Sequence, residues 1–334
     1  MNKFKVSLAI VAAIALVGIG VWFFMNPQMG FSGKPESITI GLKNAEANAL
    51  IYIAEDRGFF SENRIDVTVI TYTTKLQAFD AMAAGEVDLS IISEYPFVAA
   101  VFEKEDIRAI GSSSRYQDQY LAARKDRGIV AVSDLAGKKI GVPVGTIGEF
   151  YFGRYLGLHN INQQDVTVED IPFAQAADAL FNGSVDAVLI YDGAPRSSEV
   201  FSDGEIISWP VQSGQASYDV ITCKEDTIAS QPEALYRFLK SLDQAAEYLI
   251  FHSAEGKAIV QNKLGRTDAQ MATIWPRFEF SVILDQSLIL AMEDEGRWMI
   301  ENDLTNETIV PDFLGYIYSE VLEKVKPESV NIIR

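Results

Sequence analysis

A chain of 334 residues exceeds what one hydrophobic core ordinarily serves, so its length points to two compact lobes. With 48% hydrophobic and 22% charged residues it is ordinary globular material, and its formal net charge of -18 argues against a nucleic-acid or anionic-lipid surface, which needs clustered Lys and Arg. The acidity favours solubility and says little about a ligand.

At the N-terminus, Lys3 and Lys5 precede an uncharged run at 6–25, and the next charged residue is Lys34. Positive charge before an apolar stretch sends the rest of the chain outward, as a signal peptide or an N-terminal membrane anchor over 1–25. The run is longer than a cleavable signal core, and no small-x-small site follows Trp22-Phe23-Phe24. An uncleaved anchor is therefore favoured, with residues 26–36, which contain Pro and Gly, as its linker. The only cysteine, Cys223, is too far from the N-terminus to carry a lipid and has no partner for a disulfide.

Beyond the linker, a short β-branched run at 38–42 ends in a polar loop, and 49–53 opens a helical pattern. Residues 67–70 read as a second strand. Leu76, Phe79, Met82 and Ala83 are spaced as the buried stripe of a helix, and 89–92 is a short apolar strand of the kind a parallel sheet covers on both faces.

This strand-helix-strand-helix-strand unit then recurs. Asp66-Val-Thr-Val69 returns as Asp165-Val-Thr-Val168, Gln77-Ala78-x-Asp80-Ala81 as Gln175-Ala176-x-Asp178-Ala179, and Gly85-x-Val87-Asp88 as Gly183-x-Val185-Asp186. Ile40-Gly41 likewise matches Ile140-Gly141. Two copies of one unit imply two open α/β sheets with right-handed crossovers. Further on, Cys223 sits in an apolar strand-like run and reads as a small buried hydrophobe, while His159 and His252 are too far apart to suggest a zinc site. Leu235-x-x-Phe238-Leu239-x-x-Leu242 is helical in its spacing.

Ligands of open α/β sheets bind beyond the C-terminal ends of the strands. In the first copy those ends lead into 43–48, 72–74 and Ser93-Glu94-Tyr95; in the second, into 143–148, 171–173 and Tyr191-Asp192-Gly193. From these loops the candidate ligand-binding residues are Asn44, Glu46, Thr73, Thr74, Ser93, Glu94, Tyr95, Thr146, Tyr191 and Asp192, with Tyr218 added from the strand-like run before Cys223.

The run Ala54-Glu-Asp-Arg-Gly-Phe-Phe60, the phrase Ala83-Ala-Gly-Glu-Val-Asp88, Asp134-Leu-Ala-Gly-Lys-Lys-Ile-Gly141 and Val325-Lys-Pro-Glu-Ser-Val330 resemble the nitrate/sulfonate/taurine-type periplasmic binding proteins of ABC transporters, a group that includes binders of thiamine pyrimidine precursors. The resemblance implies a two-lobed type II periplasmic-binding-protein fold, each lobe an open, mostly parallel sheet flanked by helices. It places lobe one at 37–122 and 221–334 and lobe two at 123–220. It implies a monomer with no cofactor, a small-molecule ligand in the interlobe cleft and a transporter permease as partner, in an extracytoplasmic location.

Many members of that family hold an oxyanion with a Ser-Gly pair after the second strand; here Tyr72-Thr73-Thr74-Lys75 lacks the glycine. Thr146-Ile-Gly-Glu149 fits a capping box, which would use up the N–H groups of its helix internally. Glu94 and Asp192 occupy equivalent repeat positions, and two opposed carboxylates would suit an amine, an amidine-like ring edge or a zwitterion, with Tyr95, Tyr191 and Tyr218 offering ring faces. The rival is a sulfonate-like anion at the helix start near Thr146. Two other function classes remain: a membrane-anchored sensing module, and a pyrimidine-synthesis-related enzyme, whose cysteine-rich motif this chain lacks.

Overall fold

The duplication is visible strand by strand. The computed structural model describes residues 34–191 and 205–333. The chain runs through β1 (Glu36–Lys43), β2 (Ile65–Tyr72), β3 (Leu89–Ser93) and β4 (Ile107–Tyr116). It continues through β5 (Gln119–Arg124), β6 (Lys139–Val142), β7 (Thr167–Asp170), β8 (Ala187–Tyr191) and β9 (Ile206–Pro210), and ends with β10 (Ser217–Lys224), β11 (Phe278–Asp285) and β12 (Val330–Asn331). In the first copy Ile40 lies beside Val69 and Leu89; in the second Ile140 lies beside Val168 and Ala187. These are the pairings that the sequence repeat requires.

The repeated motifs have structural reasons. Asp88 Oδ2 accepts the Thr39 N–H at 2.7 Å, and Asp186 Oδ2 accepts the Lys139 N–H at 3.0 Å, so each Gly-x-Val-Asp turn is tied to the first strand of its own copy. The matched glycines are imposed by packing: a Cβ on Gly41 would lie 3.0 Å from the Tyr72 ring, and one on Gly141 would lie 3.0 Å from both Ile171 and Val188. All five residues of β3 are buried, as expected of a strand covered on both faces.

Two sheets result, in the orders β12-β11-β4-β10-β3-β1-β2 and β7-β6-β8-β5-β9. Within each, the strands of the repeat are parallel, but β10 runs antiparallel between β3 and β4, and β5 antiparallel between β8 and β9. Each sheet is therefore mixed rather than mostly parallel, because the crossing strands lie outside the repeat. All of β5 belongs to the five-stranded sheet and all of β10 to the seven-stranded one. The chain thus passes from one sheet to the other at 117–118 and returns at 211–216, while positions 122/123 and 220/221 lie within β5 and β10.

Helices cover both sheets. Pro232–Phe251 buries Leu235, Phe238, Leu239 and Leu242, and Phe238 stacks on Phe60 with ring centroids 6.0 Å apart. One continuous core runs from lobe one through Phe150, Tyr151 and Leu156 of the lobe-two helix Ile147–Leu158. A smaller core lies under the helix Phe173–Asn182. Among the described residues no helix is long and apolar enough to cross a membrane; the N-terminal run expected as signal or anchor lies outside them.

Candidate functional site

The crossings are joined by a residue that the motifs gave no reason to single out. Gln212, 3% exposed, accepts the N–H groups of Asp118 at 2.7 Å and Gln119 at 3.1 Å, and donates to Tyr116 O at 3.1 Å and Gln215 O at 3.2 Å. One side chain thereby bonds the outgoing crossing to the returning one.

Next to these crossings, the strand ends bring together charges of both signs. Lys43, closing β1, holds its Nζ 5.9 Å from the ring centroid of Tyr191, which closes β8, so strand ends of the two sheets meet here. Tyr191 is braced edge-on by Phe173 at 5.3 Å. Lys75, at the start of the helix Lys75–Ala83, pairs with the buried Asp219, which also accepts from Ser114 Oγ at 2.8 Å. Arg266 Nε donates to the buried Glu46 at 2.7 Å. Of these three cations, Lys43 ion-pairs with none of the described carboxylates. Burial, and then the adjacent Lys75, pull its pKa below the ordinary lysine range against the opposing pull of Glu46.

Two buried acceptors in the same region have no donor among the described residues, Asn48 Oδ1 and Gln119 Oε1. Asn48 is anchored by its amide nitrogen to Lys43 O at 2.6 Å, and Gln119 lies directly opposite Tyr191 in the β5–β8 ladder. Directly opposed residues of an antiparallel pair share a sheet face.

A second interlobe contact is apolar. Phe150 of lobe two packs against Trp298 at 5.7 Å and Tyr95 at 6.2 Å, and Tyr95 contacts Trp298 at 6.1 Å. Gly153, one turn beyond Phe150, leaves room for the Trp298 indole, which any Cβ there would strike.

The sequence-derived candidates separate into groups. Tyr191 closes β8, and the exposed Asn44, Thr73 and Thr74 follow the ends of β1 and β2, although the Thr74 hydroxyl already caps its helix by accepting the Gln77 N–H at 3.1 Å. Glu46 is buried and engaged with Arg266. Ser93 and Tyr218 are buried in the lobe-one sheet. Tyr95 belongs to the aromatic seam, with its hydroxyl 3.4 Å from Glu149. Glu94 departs most from expectation: it is fully buried, its Oε2 accepts the Tyr218 N–H at 2.9 Å, and burial raises its pKa to about 8, so it presents no carboxylate to the cleft. Its expected counterpart, Asp192, lies outside the described residues. The Thr146 hydroxyl accepts the Gly148 N–H at 3.2 Å and Glu149 accepts that of Gly145 at 2.9 Å. The helix start is thus capped internally, as expected, but with each bond shifted by one residue from the capping box.

Lys43, Lys75, Asn48, Gln119, Asp219 and Arg266 were not singled out as candidates. Lys43, Asn48 and Lys75 lie in or beside the loops read as cleft-forming, whereas Arg266 is 220 residues from Glu46 and only the folded chain joins them.

Cys223 is buried, and its thiol is pushed up to about 12 by that burial, so it is not a nucleophile near neutrality. His159 packs on Tyr155 and His252 on Tyr248, each with centroids 4.5 Å apart.

The family model described as NMT1/THI5 like matches residues 46–255. The Bacillus subtilis "Putative aliphatic sulfonates-binding protein" is 26% identical over 279 residues, spanning 78% of this chain and 82% of that one. The Haemophilus influenzae "Putative thiamine biosynthesis protein" is 25% identical over 213 residues, spanning 62% and 67%. The alkanesulfonate-binding protein SsuA from Xanthomonas axonopodis pv. citri, bound to MOPS, superposes with a TM-score of 0.70 at 18% identity over 86% of this chain and 100% of that one. The desulfurization enzyme DSZB shares the fold with a TM-score of 0.65 at 18% identity, over 87% and 99%.

Proposed function

The chain belongs to the NMT1/THI5-like family, and from that premise we propose that it is the extracytoplasmic ligand-binding component of an ABC transporter, taking a small organic anion into the cleft between its lobes. The observation that carries the ligand class is Lys43: a half-buried ammonium, without a carboxylate partner among the described residues, held at the place where the two lobes meet. A sulfonate or carboxylate would supply the missing countercharge, and a charge-assisted hydrogen bond is about twice as strong as a neutral one. The unfilled acceptors Asn48 Oδ1 and Gln119 Oε1 favour an acid that also carries N–H or O–H donors, because a buried acceptor left unmet costs free energy.

Glu94 no longer supports a purely cationic ligand, since its carboxyl is buried away from the cleft. An enzymatic reading through Cys223 is not favoured, because burial keeps its thiol protonated near neutrality. The N-terminal run keeps the chain outside the cytoplasmic membrane in this reading, with a permease as the partner that receives the ligand. Thermal-shift screening of sulfonates, carboxylates, amino acids and amines tests the ligand class. A ligand at 100 times its Kd adds about 2.7 kcal/mol of stability. Stabilisation by acids is the expected result; stabilisation by amines alone would reverse the assignment.

A further inference from the structure

Two glutamates sit together inside lobe one with too few donors for two negative charges. Glu94 opens the helix Glu94–Phe102, and Glu295 lies on the helix Gln286–Glu301 packed against it; both are 0% exposed. The Tyr218 N–H reaches Glu94 Oε2, but among the described residues no other supplies a donor to Glu94 Oε1 or to either oxygen of Glu295. An ionised carboxylate can only accept hydrogen bonds, and two of them in contact repel.

Among the described residues the cation that acts on Glu94 is Lys75, and it is already engaged elsewhere. Towards the cleft lies Asp219, a third carboxylate, which already holds Lys75. Tyr116 of β4, Tyr95 and, from lobe two, Tyr151 and Glu149 are the other ionisable groups facing the pair or its neighbours, and Asp294 adjoins Glu295. Protonation of the carboxyls removes the repulsion without a further cation.

The lobes cover this pair. Tyr95 follows Glu94 and Trp298 lies one turn beyond Glu295; both rings rest on Phe150 of lobe two, while the neighbouring Tyr151 hydroxyl reaches Ser217 at 3.3 Å. Parting the lobes withdraws Phe150 and Tyr151 and lets water towards the carboxyls. We propose that Glu94 and Glu295 form a proton-holding pair beneath the interlobe seam, so that closing the lobes takes up protons and opening them releases protons. The inference requires the lobes to part but no particular ligand. The direction of each group's acidity agrees: burial raises Glu94, with Asp219 adding to it and the Tyr218 N–H and Lys75 opposing, and burial followed by the charge of Glu94 raises Glu295.

Small-angle scattering of the ligand-free chain across pH 5 to 9 tests this, comparing wild type with Glu94→Gln, Glu295→Gln and the double variant, whose amides cannot ionise. The wild type is expected to expand as pH rises, with the open-to-closed ratio growing by up to about tenfold per pH unit for each proton released, while the double variant holds one radius of gyration throughout. Superimposable wild-type and double-variant curves would overturn the proposal. Carboxyl carbon NMR of wild-type protein labelled at glutamate covers the case where the amides fail to fold: at least one glutamate must titrate above pH 7, and none doing so overturns the proposal. If replacing sodium by choline at fixed pH moves the radius, a metal cation rather than a proton occupies the pair and the assignment fails.

Discussion

Replacing Gln212 by Ala removes the clasp between the two crossings, and the structure sets the size of the loss. Two buried N–H groups, of Asp118 and Gln119, lose the oxygen that accepts them at 2.7 and 3.1 Å, while the carbonyls of Tyr116 and Gln215 lose their donor. An unmet buried donor costs about 1–3 kcal/mol, so the two N–H groups alone come to roughly 2–6 kcal/mol. Carbonyls tolerate the loss better, and water entering the vacated volume would return part of the total. A net loss of about 3 kcal/mol is expected, which for a chain of this size lowers Tm by about 4–5 °C. Gln212→Glu keeps both acceptor contacts but loses the donors and buries a charge unless it is protonated, so it should recover part of the loss at acidic pH only. Differential scanning calorimetry at pH 6 and pH 8 measures both variants. A fall of less than about 2 °C for Gln212→Ala would mean that the crossings are held by the strands alone and that Gln212 is incidental.

Trp298→Ala removes two ring contacts from the interlobe seam, each worth about 0.5–1.5 kcal/mol beyond burial, and should shift the chain towards a larger radius of gyration; an unchanged scattering profile would show that the seam does not hold the lobes together. Cys223 should react with an aromatic disulfide reagent at pH 8 only after denaturation, because burial keeps it a thiol, and rapid labelling of native protein would contradict that burial. Stability should decline from pH 5.5 to pH 8. Both raised carboxyls hold protons in the native state that the unfolded chain has lost above about pH 4.3, so their contribution is fully present below that value and disappears as pH rises through about 8 for Glu94. The slope is at most about 1.4 kcal/mol per pH unit per group, and a Tm that rises over this interval would refute the burial argument.

Much of the architecture was legible because it is periodic and repeated. The offset between the copies reappears in the sheets as the paired neighbours of Ile40 and Ile140, and the Gly-x-Val-Asp phrase as equivalent carboxylate-to-backbone ties at Asp88 and Asp186. The site was legible only in part. A strand end locates a loop but not which way its side chains turn: the repeat put Glu94 at the correct strand end, whereas its side chain folds back to the Tyr218 N–H. Lys43 and Lys75 lay inside or beside loops already marked, but polar loop residues with no pattern do not declare themselves. Arg266 and Gln212 had no signal, because each draws its role from partners distant in sequence. The mixed character of the sheets escaped for the same reason: β5 and β10 carry no mark of which lobe they join.

The central claim, an anion held at the interlobe cleft, is tested most directly by calorimetry with MOPS, the sulfonate bound by the Xanthomonas SsuA, on wild type and Lys43→Met. A charged hydrogen bond contributes about 1.5–3 kcal/mol, so removing the ammonium while keeping its aliphatic length should weaken binding roughly 10- to 150-fold. Unchanged or tighter sulfonate binding by Lys43→Met would contradict the account.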